Sequence, residues 1–432
     1  MKKSEKLGLW MLTALVTGNI IGSGILMLPA DLARVGSISL IAWIFTACGA
    51  LALSLVFAKM SSLLPKTGGP YAYSHAAFGD FIGFQTAYNY WIMVLIGNAA
   101  VAIAAIGYLR VFFPCLHSPL LGTAVAIGMV WIFTAINLKS VQAAGITQII
   151  TTILKFIPLL AVAILGWWYF HPSYITQNFN VTHTSNFSAF SYAATLTLWT
   201  FIGLESATIP ADSTENPKRN IPLATILGTA IAMFIYFAST AALMGMIPHE
   251  VLVNSTSPFA AANAMIFGKW GEWIAAAGAI ISCLGVLNGW ILIQGQMPMA
   301  AAADRLFPEI FNKRNKHNIP VSGQIISSII VSLMLLATTN PSLIDQFQIL
   351  ILLATVIALL SYLYTAVAEI ILLPKEGFRQ RKNITQIIIA VFAAAYSFWA
   401  IFGSGRDIVF YLAILVFSSV PLYAWLKNSH SS

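Results

Sequence analysis

The chain has 432 residues, of which 59% are hydrophobic and only 8% are charged. This composition excludes a soluble globular protein and indicates an all-α, polytopic membrane protein. The formal net charge of +8 does not indicate nucleic-acid binding, because the basic residues fall in the connections between apolar segments.

Twelve apolar segments predict about twelve transmembrane helices, since a helix needs roughly 20 apolar residues to cross a bilayer. They cover about 8–31, 37–60, 79–113, 120–138, 144–169, 188–209, 221–247, 271–302, 321–339, 346–374, 383–403 and 406–426. The first segment lacks the short apolar region and cleavage site of a signal peptide, so we expect it to be a retained helix.

The positions of the basic residues predict the orientation of the chain. With the N-terminus in the cytoplasm, most Lys and Arg residues fall in cytoplasmic connections. The exceptions are Arg34, Arg110, Lys269 and Arg406 outside and Lys155 within a span. This is the positive-inside bias, and it predicts a multi-pass inner-membrane protein with both termini in the cytoplasm.

The first apolar segment contains glycines where a spanning helix should be continuous. Gly18, Gly22 and Gly24 lie there together with Ser23. An unpaired backbone group in hydrocarbon costs several kcal/mol, so a break survives only where it lines a cavity in the protein. An unwound helix with free N–H groups is suited to bind a carboxylate. The alternative is that these small residues only permit close helix packing.

A second break is predicted in the sixth segment, where Gly203 follows Trp199 and precedes Glu205. The two interrupted segments are five spans apart. Interrupted helices at matching positions in two halves indicate an inverted-repeat transporter with its site at the bilayer midplane. A carboxyl at this depth is a structural hydrogen-bond partner, a proton-sensitive gate or a counter-charge for a cationic solute, and intramembrane carboxyls are usually functional.

Three other polar residues lie within predicted spans. Tyr90 and Asn98 share one face of the third span, where the amide of Asn98 needs either another helix or a ligand as its partner. Lys155 lies far from either end of the fifth span, which favours a functional site or a buried pair. Loss of its hydration would make it a proton carrier; the alternative is a side chain that extends to the membrane surface.

Nothing in the sequence indicates an enzyme, a metal or another cofactor. No phosphate-binding loop, HExxH motif or metal-ligand cluster occurs. The three cysteines, Cys48, Cys115 and Cys283, show no metal-ligand spacing and are interpreted as small packing residues.

Four motifs resemble one transporter family. They are Gly18-Asn-Ile-Ile-Gly-Ser-Gly24, Leu198-Trp-Thr-Phe-Ile-Gly-Leu-Glu-Ser206, Glu215-Asn-Pro-Lys-Arg-Asn220 and Ala302-Ala-Asp-Arg-Leu-Phe-Pro308. With these, the chain resembles the amino acid–polyamine–organocation superfamily, and within it the bacterial basic amino-acid/polyamine antiporters. The resemblance implies a five-plus-five inverted-repeat fold with broken helices 1 and 6, often as a homodimer. It predicts one transmembrane domain, 1–432, with repeats at about 8–169 and 188–374 and extra helices at about 383–426.

The resemblance also implies site residues. Ser23 and Gly24 would bind the substrate carboxylate, with Asn19 shaping that site, and Ile202 would offer its carbonyl to the α-amino group. The remaining assignments are stacking by Trp199, contact with the side-chain head by Asn98, gating by Tyr90, Glu205 and Trp290, and an inner pH response by Tyr71.

The predicted function is secondary-active exchange of a cationic amino acid (arginine, lysine or ornithine) for a related amine. Two departures from the family pattern favour an alternative, proton-coupled uptake of amino acids of broader specificity. Leu352 replaces a serine that contacts guanidinium in the arginine–agmatine exchanger, and Lys155 stands where proton-coupled permeases of the superfamily carry a lysine. A transporter-like receptor is a third hypothesis, which the absence of any appended signalling domain disfavours.

Overall fold

The computed structural model describes residues 6–22, 24–255, 257–337, 341–373 and 381–429. These residues form α-helices joined by short 3₁₀ and π segments, and no strand occurs among them. One isolated parallel bridge pairs Leu7 with Thr214. The described chain is therefore all-α.

Seventeen α-helices are present in the described residues. In chain order they are α1 (Leu9–Ile20), α2 (Gly24–Ala33), α3 (Ser39–Leu63), α4 (Pro70–Phe78), α5 (Asp80–Leu109), α6 (Pro119–Lys139), α7 (Val141–Leu160), α8 (Pro172–Thr176), α9 (Asn186–Leu198), α10 (Pro217–Met246), α11 (His249–Val253), α12 (Pro258–Phe267), α13 (Trp270–Ala303), α14 (Val321–Ala337), α15 (Pro341–Leu372), α16 (Arg381–Gly403) and α17 (Arg406–Ser429).

The long helices coincide with the predicted spans. Among the described residues nine helices are long and apolar enough to cross a membrane, judged by length and composition, and α1, α12 and α14 are shorter apolar helices. The first predicted span is divided into α1 and α2, and the sixth continues beyond α9 as 3₁₀ turns. The prediction of a polytopic helical protein interrupted in these two spans is confirmed.

The connection between the second and third predicted spans contains a helix, α4, which begins at Pro70. Proline is favoured at the first helical position, because the missing N–H has no partner there in any case. Thr67, Gly68 and Gly69 form the turn before this helix, and both glycines have positive φ. Helix α12 likewise lies in a connection for which the sequence predicts no helix.

Both ends of the described chain lie on the same side of the molecule. Lys427 near the C-terminus is paired with Asp80 at the start of α5, at 3.1 Å. The Leu7 N–H donates to the Ser213 carbonyl at 2.8 Å, and the Asp212 N–H donates to Thr67 Oγ1 at 2.9 Å. We call this side the terminal face and the opposite side the distal face.

Helix α13 lies at the centre, packed on α5 and α7, and α10 packs on α1 and α3. By contrast, α16 and α17 expose large apolar side chains such as Phe398, Phe402, Phe410 and Phe417. A helix with apolar residues on its outer side is suited to lipid. The broken helices are thus held inside the molecule, where their backbone is sheltered from lipid.

Candidate substrate-binding site

The first helix break is stabilised by side chains from three other helices. Helix α1 ends at Ile20 and α2 begins at Gly24, so the carbonyls of the last turn lose their normal partners. Lys155 Nζ donates to the carbonyls of Gly18 and Ile21, each at 2.7 Å, and Tyr236 donates to Ile20 O at 2.7 Å. Ser282 also donates to Ile21 O, at 3.1 Å. The break is therefore part of the folded structure. Of the residues predicted here, Ser23 lies outside the described residues.

The second break lies directly against the first. After α9 the chain forms 3₁₀ turns at Trp199–Phe201 and Ser206–Thr208. Between them Gly203 adopts a φ of +107°, and a Cβ at Gly203 would touch Asn19. Asn19 Nδ2 donates to Ser206 Oγ at 2.8 Å, which joins the two breaks. The sequence-predicted pairing of interrupted helices thus corresponds to a direct contact.

A cavity of about 200 Å³ lies where the two breaks meet. Its walls come from the first break (Asn19, Ile20, Gly22, Ile25), the second break (Thr200, Ile202), α5 (Met93, Gly97, Ala100, Val101, Ala104), α10 (Tyr236), α13 (Val286, Trp290) and α15 (Ala354, Thr355). Three predicted site residues, Asn19, Ile202 and Trp290, line it. Trp199 is the first residue of a 3₁₀ turn at this break, and its side chain is outside the described part.

Asn19, a residue of the cavity wall, carries a side-chain acceptor without a donor, which lies against Gly289 of α13. Its Oδ1 atom is buried and has no hydrogen-bond partner among the described residues, whereas its Nδ2 atom is bound to Ser206. A buried carbonyl oxygen without a donor is unfavourable unless a ligand or water supplies one. An N–H group of a bound amine would satisfy this oxygen.

Glu205 lies fully buried beside the second break. The hydroxyls of Tyr90 on α5 and Tyr362 on α15 donate to its two carboxylate oxygens. The Gly203 N–H donates to Glu205 Oε2 at 3.2 Å and to the Tyr362 hydroxyl at 3.1 Å. Tyr90 and Glu205, both predicted gate residues, are therefore in contact. Neither is in the cavity wall, so the pair lies behind it.

Lys155 is also fully buried and faces the first break. It shares one face of α7 with Gln148 and Thr152, which both donate to the Ala14 carbonyl, at 3.4 Å and 3.2 Å. Among the described residues no acid forms an ion pair with Lys155; its recorded partners are carbonyl oxygens. The lysine therefore holds the unwound backbone while remaining without a counter-ion.

Asn98 lies away from the cavity. Its Nδ2 atom donates to Gln294 Oε1 at 2.8 Å, and Gln294 in turn donates to Ser328 at 2.9 Å. Its neighbour Gly97 lines the cavity instead. Contact between Asn98 and a substrate would thus require a rearrangement from this structure.

Comparison with known proteins identifies the family of this chain. A model of the amino acid permease family matches residues 7–423. The chain is 37% identical to the putrescine transporter PotE of Escherichia coli (strain K12), over 99% of each chain, and 34% identical to PotE of Haemophilus influenzae, over 98% of each. It is also 34% identical to the cadaverine/lysine antiporter of Escherichia coli (strain K12), over 100% of this chain and 98% of that one.

The chain belongs to the amino acid permease family. It is a multi-pass membrane transporter rather than an enzyme, and the resemblance to the polyamine and amino-acid antiporters is confirmed. Within that family, the cavity at the two helix breaks is the candidate substrate-binding site.

A polar cluster at the terminal face joins α4 and the residues before it to the end of α13. Lys66 Nζ lies 2.6 Å and 2.9 Å from the two oxygens of Asp304 at the end of α13, and the Tyr71 hydroxyl donates to Asp304 at 2.7 Å. His75 Nδ1 lies 3.6 Å from the same carboxylate, and His75 Nε2 lies 3.0 Å from Asp80. We call Lys66, Tyr71, His75 and Asp304 the terminal-face cluster.

The cluster shifts the pKa values of its members. Burial, together with the hydrogen bond to Asp304, raises the pKa of Tyr71 far above its usual value, so that Tyr71 remains a hydroxyl donor. For Asp304, burial raises the pKa, but the hydrogen bonds from Lys66 and Tyr71 outweigh it and the pKa lies below the usual 3.8. Asp304 is therefore ionised at neutral pH in this structure.

Several of these residues are absent from the sequence prediction. Tyr362 contacts Glu205 across 157 positions of the chain, and Lys66 contacts Asp304 across 238. No local spacing reveals such pairs. For Asp304 the sequence offered one signal, its place in the motif Ala302-Ala-Asp-Arg-Leu-Phe-Pro308.

Proposed function

We propose that the chain exchanges a cationic amino acid (arginine, lysine or ornithine) for a related amine or amino acid across the inner membrane, with both termini in the cytoplasm. The observation that carries this proposal is the cavity where the two interrupted helices meet, whose wall includes Asn19, a residue with a side-chain oxygen that has no donor among the described residues. The printed names of the relatives, a putrescine transporter and a cadaverine/lysine antiporter, support a cationic substrate.

The broken backbone supplies the recognition groups in this proposal. A substrate carboxylate would meet backbone N–H groups at the start of α2, where the helix dipole favours negative charge. The resemblance to the antiporters assigns this contact to Ser23 and Gly24. The α-amino group would donate to Asn19 Oδ1 and to the carbonyl of Ile202. An amine without a carboxylate would bind only through Asn19 Oδ1 and the carbonyl of Ile202. The methylene chain would lie along the apolar wall of α5 and against Trp290. Stacking of the substrate on Trp199 stays a prediction from the sequence.

Transport would proceed by alternating access. The cavity lies between α1, α2, α10 and the segment after α9 on one side and α5, α13 and α15 on the other. Binding would bias rocking of spans one, two, six and seven, which correspond to α1 to α3, α9 and α10, against the remaining helices. The terminal-face cluster would have to separate before substrate could leave to the cytoplasm. Tyr90, Glu205 and Trp290 would form the gate beside the cavity, and Asn98 would reach the substrate only in another state. An inner pH response at Tyr71 stays a prediction.

The wider organisation of the transporter belongs to the same proposal. We assign the inverted repeats to about 8–169 and 188–374 and the two extra helices to about 383–426. The apolar outer sides of α16 and α17 fit either lipid or a second copy of the chain in a homodimer.

Flux measurements in proteoliposomes test the exchange. Labelled arginine, lysine and ornithine would be offered to vesicles preloaded with the same amino acids or with agmatine, cadaverine or putrescine, and to empty vesicles. We expect uptake only into preloaded vesicles. Uptake into empty vesicles under an inward proton gradient would contradict obligatory exchange, and binding without flux would support a receptor.

Lys155 favours a second candidate function, proton-coupled uptake of amino acids of broader specificity. Its ammonium is buried, has no acidic partner among the described residues and holds the two carbonyls of the substrate-binding break. Loss of its proton would release those carbonyls and so couple the break to protonation. The uncharged wall at Met93, Gly97 and Ala100 would also accept an apolar side chain. The empty-vesicle arm of the flux experiment decides between the two functions.

A further inference from the structure

A second cavity of about 620 Å³ lies at the distal face, and α5 connects it with the first. The α5 residues of the first cavity include Met93, Gly97 and Ala104. Tyr108, one helical turn beyond Ala104, lines the second cavity, as does Val111 just past the end of the helix. Positions spaced by three or four residues share one face of a helix. The same face of α5 therefore runs from one cavity to the other.

One face of helix α13 also lines both cavities, with the chain running from the second cavity toward the first. Trp290 and Val286 line the first cavity, and Ala279, Ala275 and Glu272 line the second. These positions again follow one face. At 1.5 Å per residue, Val286 and Ala279 are separated by about 10 Å along the helix. The second cavity thus lies directly distal to the first, between the same two helix faces, and we call it the vestibule.

The vestibule has the chemistry of a cation site. Glu272 is exposed, and no other ionisable acid and no basic residue belongs to the described lining. The rings of Tyr108 and Phe259 and the amide of Asn254 complete the polar and aromatic part of the wall. A carboxylate beside aromatic rings attracts an ammonium group through both charge and ring quadrupole.

The nearby positive charges do not neutralise Glu272 in the described structure. None of the five ion pairs among the described residues involves Glu272. Arg110, next to the vestibule, donates its Nε–H to the Leu116 carbonyl at 3.1 Å. Lys269, three residues before Glu272, is not part of the lining. The carboxylate therefore remains open to a mobile cation.

We propose that the vestibule is a second, weaker binding site for the ammonium group of the substrate, at which a diamine or cationic amino acid is held before it enters the cavity. This rests on the proposed function and places the distal face outside the cell. The site is wide and its carboxylate is exposed, so it would raise the local substrate concentration rather than define specificity, and its effect would depend on salt.

The test combines binding and flux, with putrescine and lysine as probes. The variant is Glu272→Gln, and Glu272→Lys provides a charge reversal. Asp407→Asn is the matched control, because Asp407 is an exposed acid at the same face, at the start of α17, outside the vestibule. We expect wild type and the control to show two classes of probe binding at low ionic strength, and Glu272→Gln to retain only the tighter one.

In flux measurements, Glu272→Gln should raise the KM for probe offered at the distal face by about three- to fivefold at low salt, as expected for loss of one hydrated charge contact. Glu272→Lys should raise it further, and both differences should shrink in high salt. If the Glu272 variants match Asp407→Asn while wild type exchanges amines, the vestibule site is overturned. If wild type neither binds nor exchanges either probe, the proposed function fails and the vestibule proposal fails with it.

Discussion

The ammonium group of Lys155 donates to the main-chain carbonyl of Gly18 at 2.7 Å and thereby connects α7 to the unwound end of α1. If Lys155 carries the coupling proton, Lys155→Ala should abolish uptake driven by a proton gradient but leave amino-acid exchange intact. The measurement is labelled uptake into empty and into preloaded proteoliposomes. Proton-driven uptake that persists in this variant would leave Lys155 with a structural role only.

Thr152→Val is the control for this variant. Thr152 lies one turn from Lys155 on α7 and donates to Ala14 O on α1, so its replacement removes a neutral hydrogen bond to the same helix. We expect a small loss of stability, about 1 kcal/mol, and unchanged dependence on the proton gradient. If Thr152→Val loses coupling to the proton gradient as well, both effects result from a change in the position of α1 and not from the proton of Lys155.

Glu205 provides a second prediction, because its two oxygens accept hydrogen bonds from Tyr90 and Tyr362 in the buried interior of the protein. If Glu205 changes protonation during transport, Glu205→Gln should flatten the dependence of transport on pH. Tyr362→Phe keeps the carboxyl and removes one donor, so it should shift the profile without abolishing it. Initial rates between pH 5 and 8 would show this, and an unaltered profile in Glu205→Gln would assign the titration to another group.

The sequence predicts the helices of this protein better than it predicts the site. Spans follow from apolar length, which is local information, and the two breaks follow from glycines such as Gly22 and Gly203. The contact of Asn19 with Ser206 depends on how distant helices pack, and no spacing reports it. Asn98 shows the same limit. Its polarity in an apolar span predicts a partner, but only the fold identifies that partner as Gln294.

The contacts of the terminal-face cluster predict how the terminal face responds to mutation. Asp304 accepts from both Lys66 and Tyr71, so Asp304→Asn should loosen the closure. A cysteine introduced at Ala300, which is buried beside Gly68, would report this in a background without Cys48, Cys115 and Cys283. We expect an impermeant thiol reagent, added at the terminal face, to label it several times faster in Asp304→Asn.

Asp80→Asn is the control for the closure, because it removes the partner of Lys427 and His75 while Lys66 and Asp304 remain paired. Equal labelling in the two variants would contradict a specific role for Asp304. The pH dependence has a definite sign. A carboxylate with a lowered pKa contributes stability above its usual value of 3.8 and loses it as the pH falls through the lowered pKa. Labelling of the wild-type closure should therefore show no Asp304-dependent change between pH 5 and 8.

The contact between Gly97 and Trp290 predicts that a larger residue at position 97 changes the width of the substrate cavity. It lies in the cavity wall on α5, and a Cβ at this position would overlap the ring of Trp290 on α13. In Gly97→Ala the ring must move, and overpacking of this kind costs about 1–3 kcal/mol. Because Trp290 also lines the cavity, we expect the substrate KM to rise about tenfold or more.

Gly107→Ala on the same helix is the control, because its Cβ would meet nothing within 4 Å. Alanine is the better helix former by up to about 1 kcal/mol, so this control should be as stable as wild type or more so, with unchanged KM. If both variants keep the wild-type KM, Trp290 does not define the cavity during transport. If both lose activity equally, the effect belongs to the flexibility of α5 and not to its contact with α13.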